Sequence, residues 1–248
     1  ATTAGSRVRV FDLDRAEQPR ELANCEFHGE RSRHSPLLYD LEANGRLCLI
    51  APGRTRDGKL TVRTFRADGS PFWETVLDMP TAAGGTAVAW NAGDFLPGPR
   101  AGVAVSVGNA SRTREGTYLL DGPTGKILWF KDLYRDGDAI RGCVPVGLPS
   151  AFDWDGDGTD EICMDMYSYL ALLRGENGEF ALLHHTRNIR AEGALYAGLL
   201  YHSFNPVFRS ETDEKPHWFI PLGHGDLGLL NPDPTTGAWK EELGYDVP

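Results

Sequence analysis

The sequence predicts an all-β chain assembled from β-propeller blades. Three observations carry that expectation. Turn formers are in excess, with 29 glycines and 16 prolines among 248 residues, about 18 % of the chain against roughly 12 % in average proteins. A glycine turn leading to an aromatic residue recurs at a spacing of about 55 residues. Between the recurrences lie short apolar runs, about four to a unit, which is the make-up of a propeller blade.

The elements follow in order. Arg7-Val8-Arg9-Val10-Phe11 alternates as a half-buried strand does, a turn follows at Asp14, and the chain returns from Arg20 to Phe27. This is half a blade, near residues 6–30. Four full units follow, near 35–77, 89–133, 149–188 and 204–243. Each carries a hydrophobic strand: Leu47-Cys48-Leu49-Ile50, Val103-Ala104-Val105-Ser106-Val107, Ile162-Cys163-Met164 and Trp218-Phe219-Ile220. A third strand comes next, such as Leu60 to Phe65 or Gly116 to Leu120.

The recurring turn closes each unit. Ala67-Asp68-Gly69-Ser70-Pro71-Phe72-Trp73 returns as Pro123-Thr124-Gly125-Lys126-Ile127-Leu128-Trp129. It returns again as Glu176-Asn177-Gly178-Glu179-Phe180 and as Thr235-Thr236-Gly237-Ala238-Trp239. The glycines are 56, 53 and 59 residues apart. Trp239 follows its glycine by two residues rather than four, which keeps the same strand face. Helical periodicity is confined to the stretch near 192–201. Single units of this kind cannot bury both faces, so they must stack. The length divides into about four and a half units, whereas a propeller closes its ring to avoid bare edges. The expectation is therefore one domain, 1–248, forming part of a larger seven- or eight-bladed ring, with the missing blades in the rest of a longer chain.

Composition excludes several functions. A net charge of −10 argues against a nucleic-acid partner held by phosphate neutralisation. No apolar run is long enough for a membrane span. Cys25, Cys48, Cys143 and Cys163 are unevenly spaced, with no CxxC pair. They read as buried free thiols, with one or two disulfides as the alternative. Gly122-Pro123-Thr124-Gly125-Lys126 ends like a phosphate loop, but its glycine spacing is too short and Ile127 follows. No nucleophile elbow, zincin motif or dinucleotide fingerprint is present. Asn109-Ala110-Ser111 is an acceptor sequon only in a eukaryotic secretory setting.

One turn is chemically specific. Asp153-Trp154-Asp155-Gly156-Asp157-Gly158-Thr159-Asp160-Glu161 places carboxylates at positions 1, 3 and 5, glycine at 6 and a carboxylate at 9. Calcium takes six to eight oxygens, and glycine lets such a loop reverse sharply. The expected Ca2+ ligands are Asp153, Asp155, Asp157, the Thr159 carbonyl and Glu161. Asp160 points the other way along the strand. The loop runs into a strand rather than a helix, which excludes an EF-hand. Asp40-Leu41-Glu42-Ala43-Asn44-Gly45 keeps positions 1, 3, 5 and 6 but has Cys48 at position 9, a weaker cation candidate. The corresponding stretches at Asp94 and at Ser210 to Lys215 have lost the pattern.

Arginine and histidine gather in the segments between units. His28, Arg31, Arg33 and His34 lie in the first, and Arg135 and Arg141 in the third. His184, His185, Arg187 and Arg190 lie in the fourth, with His202 and Gly223-His224-Gly225-Asp226 downstream. In a propeller these segments share one face. Guanidiniums clustered in an acidic protein suit an anionic ligand such as a carboxylate-bearing sugar. The candidate ligand-binding set is Arg141, His184, Arg187, Arg190, His202 and His224. Structural pairing with the surplus Asp and Glu is the other reading.

The Asp153 to Glu161 loop, closing on a strand inside a repeat unit, resembles the FG-GAP (VCBS-type) repeat of integrin α-subunit propellers and bacterial secreted proteins. That resemblance implies a calcium-stabilised, extracellular or periplasmic propeller. The Gly69 to Trp73 and Gly125 to Trp129 turns resemble quinoprotein-type propeller repeats. Arg187-Asn188-Ile189-Arg190-Ala191 and Gly223-His224-Gly225-Asp226 resemble segments of rhamnogalacturonan lyases of polysaccharide lyase family 11. This last resemblance implies β-elimination beside a uronate carboxylate, with Arg187, Arg190 and His224 as candidate catalytic residues. The reading that follows is a non-catalytic, calcium-stabilised module binding carbohydrate or protein. The alternative is a lyase acting on an acidic polysaccharide.

Overall fold

The structure, a computed structural model, describes residues 6–12, 20–27, 36–55, 57, 59–78, 86–98, 100–109, 115–133, 149–166, 169–185, 207–209, 216–221, 227–232 and 239–245. Every regular element among them is a β-strand. Strands β1 (Ser6–Asp12) and β2 (Arg20–Phe27) form a two-stranded sheet. Sheet I contains β3 (Leu37–Tyr39), β4 (Cys48–Arg54), β5 (Leu60–Phe65) and β6 (Pro71–Val76). Sheet II contains β7 (Thr86–Leu96), β8 (Arg100–Asn109), β9 (Glu115–Asp121) and β10 (Ile127–Asp132). Sheet III contains β11 (Ser150–Phe152), β12 (Glu161–Met166), β13 (Tyr169–Arg174) and β14 (Phe180–His185). Sheet IV contains β15 (Val207–Arg209), β16 (Pro216–Pro221), β17 (Leu227–Pro232) and β18 (Trp239–Tyr245).

The chain is thus all-β, and each four-stranded sheet is an antiparallel meander in chain order. The unit expected near 89–133 begins earlier, because Thr86 already pairs with Asn109. The stretch 192–201 lies outside the described residues. Cys48 and Cys163 are buried free thiols. The Cys25 side chain and Cys143 lie outside the description.

Burial follows strand position. In β8, Ala101 through Val107 are all buried, as in a strand covered on both faces, and the one polar side chain in the run, Ser106, is hydrogen-bonded to Thr117 Oγ1 at 3.1 Å. Alternate residues serve two cores. Val103, Val105 and Val107 pack with Ile50, Leu60 and Val62 of sheet I. Ala104 packs instead with Ile162, Met164, Ala171 and Leu173 of sheet III. In β9, Tyr118 and Leu120 join the first core and Leu119 the second. Sheet II is therefore covered on both faces. The fourth strands β6 and β10 are more exposed, and Pro71 opens β6, an edge position where its missing N–H leaves no ladder bond unmade.

Successive sheets are fastened by the recurring turn. Gly125 and Gly178 hold φ of 69° and 70°, a region glycine enters without strain. A Cβ on Gly125 would lie 2.5 Å from the Trp73 ring, and one on Gly178 would lie 2.8 Å from the Trp129 ring. Each tryptophan thus lies on the glycine turn of the next sheet. Its indole N–H completes the contact: Trp73 Nε1 donates to the Gly122 carbonyl at 2.7 Å, and Trp129 Nε1 donates to the Gly175 carbonyl at 2.8 Å. At the other side of the sheets the first strands touch in sequence, β3 on β7, β7 on β11 and β11 on β15.

Candidate metal centre

The acidic loop joins β11 to β12. Phe152 pairs with Glu161 across its base, which brings the two ends of the motif together. Asp153 organises the turn. The N–H groups of Gly156 and Asp157 donate to its Oδ1 at 2.7 and 3.1 Å, and that of Gly158 donates to Oδ2 at 3.1 Å. Gly156 and Gly158 take φ of 82° and 88° to aim those donors inward. The loop is built around a carboxylate because an anion can accept several N–H bonds at once.

Asp153, Asp155 and Glu161 offer carboxylate oxygens that all lie within 4.8 Å of one another. Asp157 is not in that triad; its Oδ1 accepts the Thr159 N–H at 2.7 Å. Glu161 is 4 % exposed, and its Oε2 accepts the Trp154 N–H at 2.8 Å. Burial pushes the Glu161 carboxyl up to about 7, and the charges of Asp155, Asp157 and Asp153 push in the same direction. Crowded carboxylates favour a proton or a cation among them. The donor set is hard oxygen throughout, which suits Ca2+ and gives no purchase to soft-metal preferences.

Asp160 is outside the triad and serves another purpose. Its N–H donates to the Asp94 carbonyl at 3.0 Å, and its Oδ2 accepts the Asp94 N–H at 2.8 Å. Tyr39 Oη in turn donates to Asp94 Oδ1 at 3.1 Å. These bonds tie the loop base to sheet II and sheet II to sheet I. A Cβ on Gly93 would lie 2.8 Å from Asp160 Oδ2, so the glycine makes room for the approach. Burial pushes the Asp160 carboxyl up, with Asp94 and Asp153 adding to the effect. On the other side, Arg209 Nη2 donates to the carbonyls of Asp153 and Trp154 at 2.5 and 3.3 Å. A cavity of about 630 Å³ opens beside the loop, lined by Asp94, Gly98, Asp157, Thr159, Glu161 and Arg174 among others.

The Asp40 loop repeats this backbone with fewer carboxylates. Asn44 N–H donates to Asp40 Oδ1 at 3.1 Å and Gly45 N–H to Oδ2 at 2.6 Å, matching the bonds of Asp157 and Gly158 to Asp153. Tyr39 pairs with Cys48 as Phe152 pairs with Glu161. Cys48 therefore stands where the buried carboxylate stands in the acidic loop, and burial pushes its thiol up. Arg66 approaches Glu42 Oε2 at 4.0 Å.

The side chains of the other candidate residues lie outside the description. His184 lies in β14 opposite Leu170, its side chain outside the description. Arg141, Arg187, Arg190, His202 and His224 lie outside the described residues.

No protein-family model matches the sequence, and no curated protein matches it. Solved structures do match. Rhamnogalacturonan lyase YesW is 16 % identical with a TM-score of 0.64, covering 100 % of this chain and 45 % of its own. Exotype rhamnogalacturonan lyase YesX is 18 % identical with a TM-score of 0.63, covering 96 % and 43 %. The Bacillus licheniformis rhamnogalacturonan lyase PL11 is 17 % identical with a TM-score of 0.58, covering 100 % and 45 %. The chain shares its fold with these lyases. It spans less than half the length of each. No helix among the described residues is long and apolar enough to cross a membrane.

Proposed function

We propose that this chain is a calcium-stabilised segment of an extracellular β-propeller that binds an acidic polysaccharide. The observation that carries the calcium reading is the convergence of Asp153, Asp155 and the buried Glu161 within 4.8 Å. Asp157 and the Thr159 carbonyl complete the ligand set. Calcium, when bound, supplies the positive charge that lets these carboxylates remain ionised together. The chain's own groups set the site: Asp153 gathers the loop amides, the Trp154 N–H orients Glu161, and Asp160 anchors the loop to sheet II. The stacked meanders, with their first strands in sequence, support a propeller arrangement. The fold likeness to three rhamnogalacturonan lyases supports an acidic polysaccharide as ligand.

Thermal melting tests the calcium reading. An ion bound only by the folded chain, at about a hundred times its Kd, adds about 2.7 kcal/mol. For a chain of this size that corresponds to a rise in Tm of about 5–10 °C. EDTA should remove the rise in the wild type, and Asp155→Ala should abolish it. A Tm indifferent to calcium and EDTA contradicts the reading.

The same likeness favours a second reading, a lyase acting by β-elimination. Arg187, Arg190 and His224 would then stand at the uronate, with a base taking the proton beside its carboxylate and Arg holding the developing charge. Incubation with rhamnogalacturonan and calcium should generate the ultraviolet absorbance of an unsaturated uronate product. No absorbance from the folded, full-length protein rejects catalysis and leaves the binding module.

A further inference from the structure

Three junctions join the four full sheets, and they are fastened differently. Trp73 closes the junction of sheets I and II, and Trp129 closes that of II and III, each through its indole N–H. The equivalent residue of sheet III is Leu182. Trp129 pairs with Leu119 and Leu182 with Leu172, each four residues past a turn glycine and each beyond a bulge. Leucine has no N–H to donate, so the indole bond has no counterpart from this position.

Arg209 works at the III–IV junction from the opposite side. It ends β15, the first strand of sheet IV, and reaches back to the acidic loop. Its Nη2 donates to two successive carbonyls, at 2.5 Å to Asp153 and 3.3 Å to Trp154, and its guanidinium stands 5.6 Å from the centre of the Phe152 ring. Nη2 carries two N–H donors fixed in the guanidinium plane, so it meets both carbonyls in one set orientation, whereas the three donors of an ammonium rotate freely. Those carbonyls belong to Asp153, on whose carboxylate the loop amides converge, and to the residue after it.

We infer that Arg209 is a positioning residue that couples the conformation of the acidic loop to the docking of sheet IV. With Arg209 in place, an ordered loop presents two carbonyls in the geometry that seats β15, and a seated β15 holds the entry of the loop. The coupling is reciprocal, as linkage requires. Resting on the calcium reading above, it also means that cation capture and sheet IV docking strengthen one another.

Hydrogen exchange of the full chain, followed by mass spectrometry, tests this without any ion. Arg209→Ala should speed exchange both at Gly156 to Thr159 and in β16 to β18, while β4, β5, β8 and β9 keep their protection. Arg209→Lys should recover part of both effects together. Faster exchange in the loop alone, in sheet IV alone, or in neither overturns the coupling. Terbium, with Trp154 in the loop as sensitiser, supplies the second readout. Its affinity should fall at least about fivefold in Arg209→Ala, the lower end of ordinary coupling. Equal affinity in the variant and the wild type overturns the coupling as well. A wild type without terbium luminescence defeats the calcium reading only, and hydrogen exchange still decides the coupling.

Discussion

Glu161 is where the electrostatics of the loop concentrate. It is buried at the start of β12 beneath three aspartates, and its carboxyl is raised from 4.5 to about 7. The folded chain therefore holds this proton more tightly than the unfolded chain. In chelator, the Glu161 contribution to stability is fully favourable below about 4.5 and is lost as pH rises to about 7. On the calcium proposal, the ion takes the place of the proton and removes the loss. Denaturant unfolding of the wild type and Glu161→Gln across that window checks the sign. In chelator the wild type should lose stability relative to Glu161→Gln as pH rises, and calcium should rescue the wild type alone. The pattern of Asp and Gly made this loop legible in the sequence, including the place of Asp160 outside the carboxylate triad. The same pattern at Asp40 predicts the same backbone, and the structure contains it. Cys48 stands where the acidic loop has its buried carboxylate, so the Asp40 turn lacks the third member of the triad.

At the scale of elements, the Gly-x-x-x-Trp spacing was visible but its purpose was not. A sequence shows that Trp129 follows Gly125; it does not show that Trp129 lies on Gly178 of the next sheet. The clue was the period itself. Tyr39 meets Asp94 across 55 residues, Trp73 meets Gly122 across 49, and Arg209 meets Asp153 across 56. Residues about one period apart are neighbours in stacked repeats, so contacts could have been sought at that separation. Arg209 escaped notice because one arginine carries no motif. The indole contact has measurable parts. Trp129→Phe keeps most of the ring and loses one hydrogen bond, an expected loss of about 1 kcal/mol. Trp129→Ala also opens a gap between the sheets, with an expected loss of about 3–5 kcal/mol. Gly178→Ala must place a Cβ 2.8 Å from the ring at φ 70°, so it should destabilise rather than stiffen the turn. Urea unfolding ranks the three, and a silent Gly178→Ala would contradict the packing described here.

For the whole molecule, the repeat pattern carried the fold class: short strands, turn glycines and stacked sheets. The two cores of sheet II show why the stacking is needed. Val103 and Leu119 lie on opposite faces, each fully buried against a different neighbour. Leu119→Ala should therefore cost about 2–5 kcal/mol, seen as a lower midpoint in the same urea assay. His184 lies in β14, whereas Arg141, Arg187, Arg190, His202 and His224 come from sequence segments in which no periodic pattern fixes where side chains meet. Composition pointed to an anionic ligand through them. The acidic loop, in contrast, is fixed by pairing at its base and by bonds to sheets II and IV. The most direct measurement is a calorimetric titration of chelator-treated protein with calcium. Saturable binding at the acidic loop is expected, removed by Asp155→Ala in a chain that stays folded. No binding heat from the wild type at any temperature tried, with terbium silent as well, would contradict it.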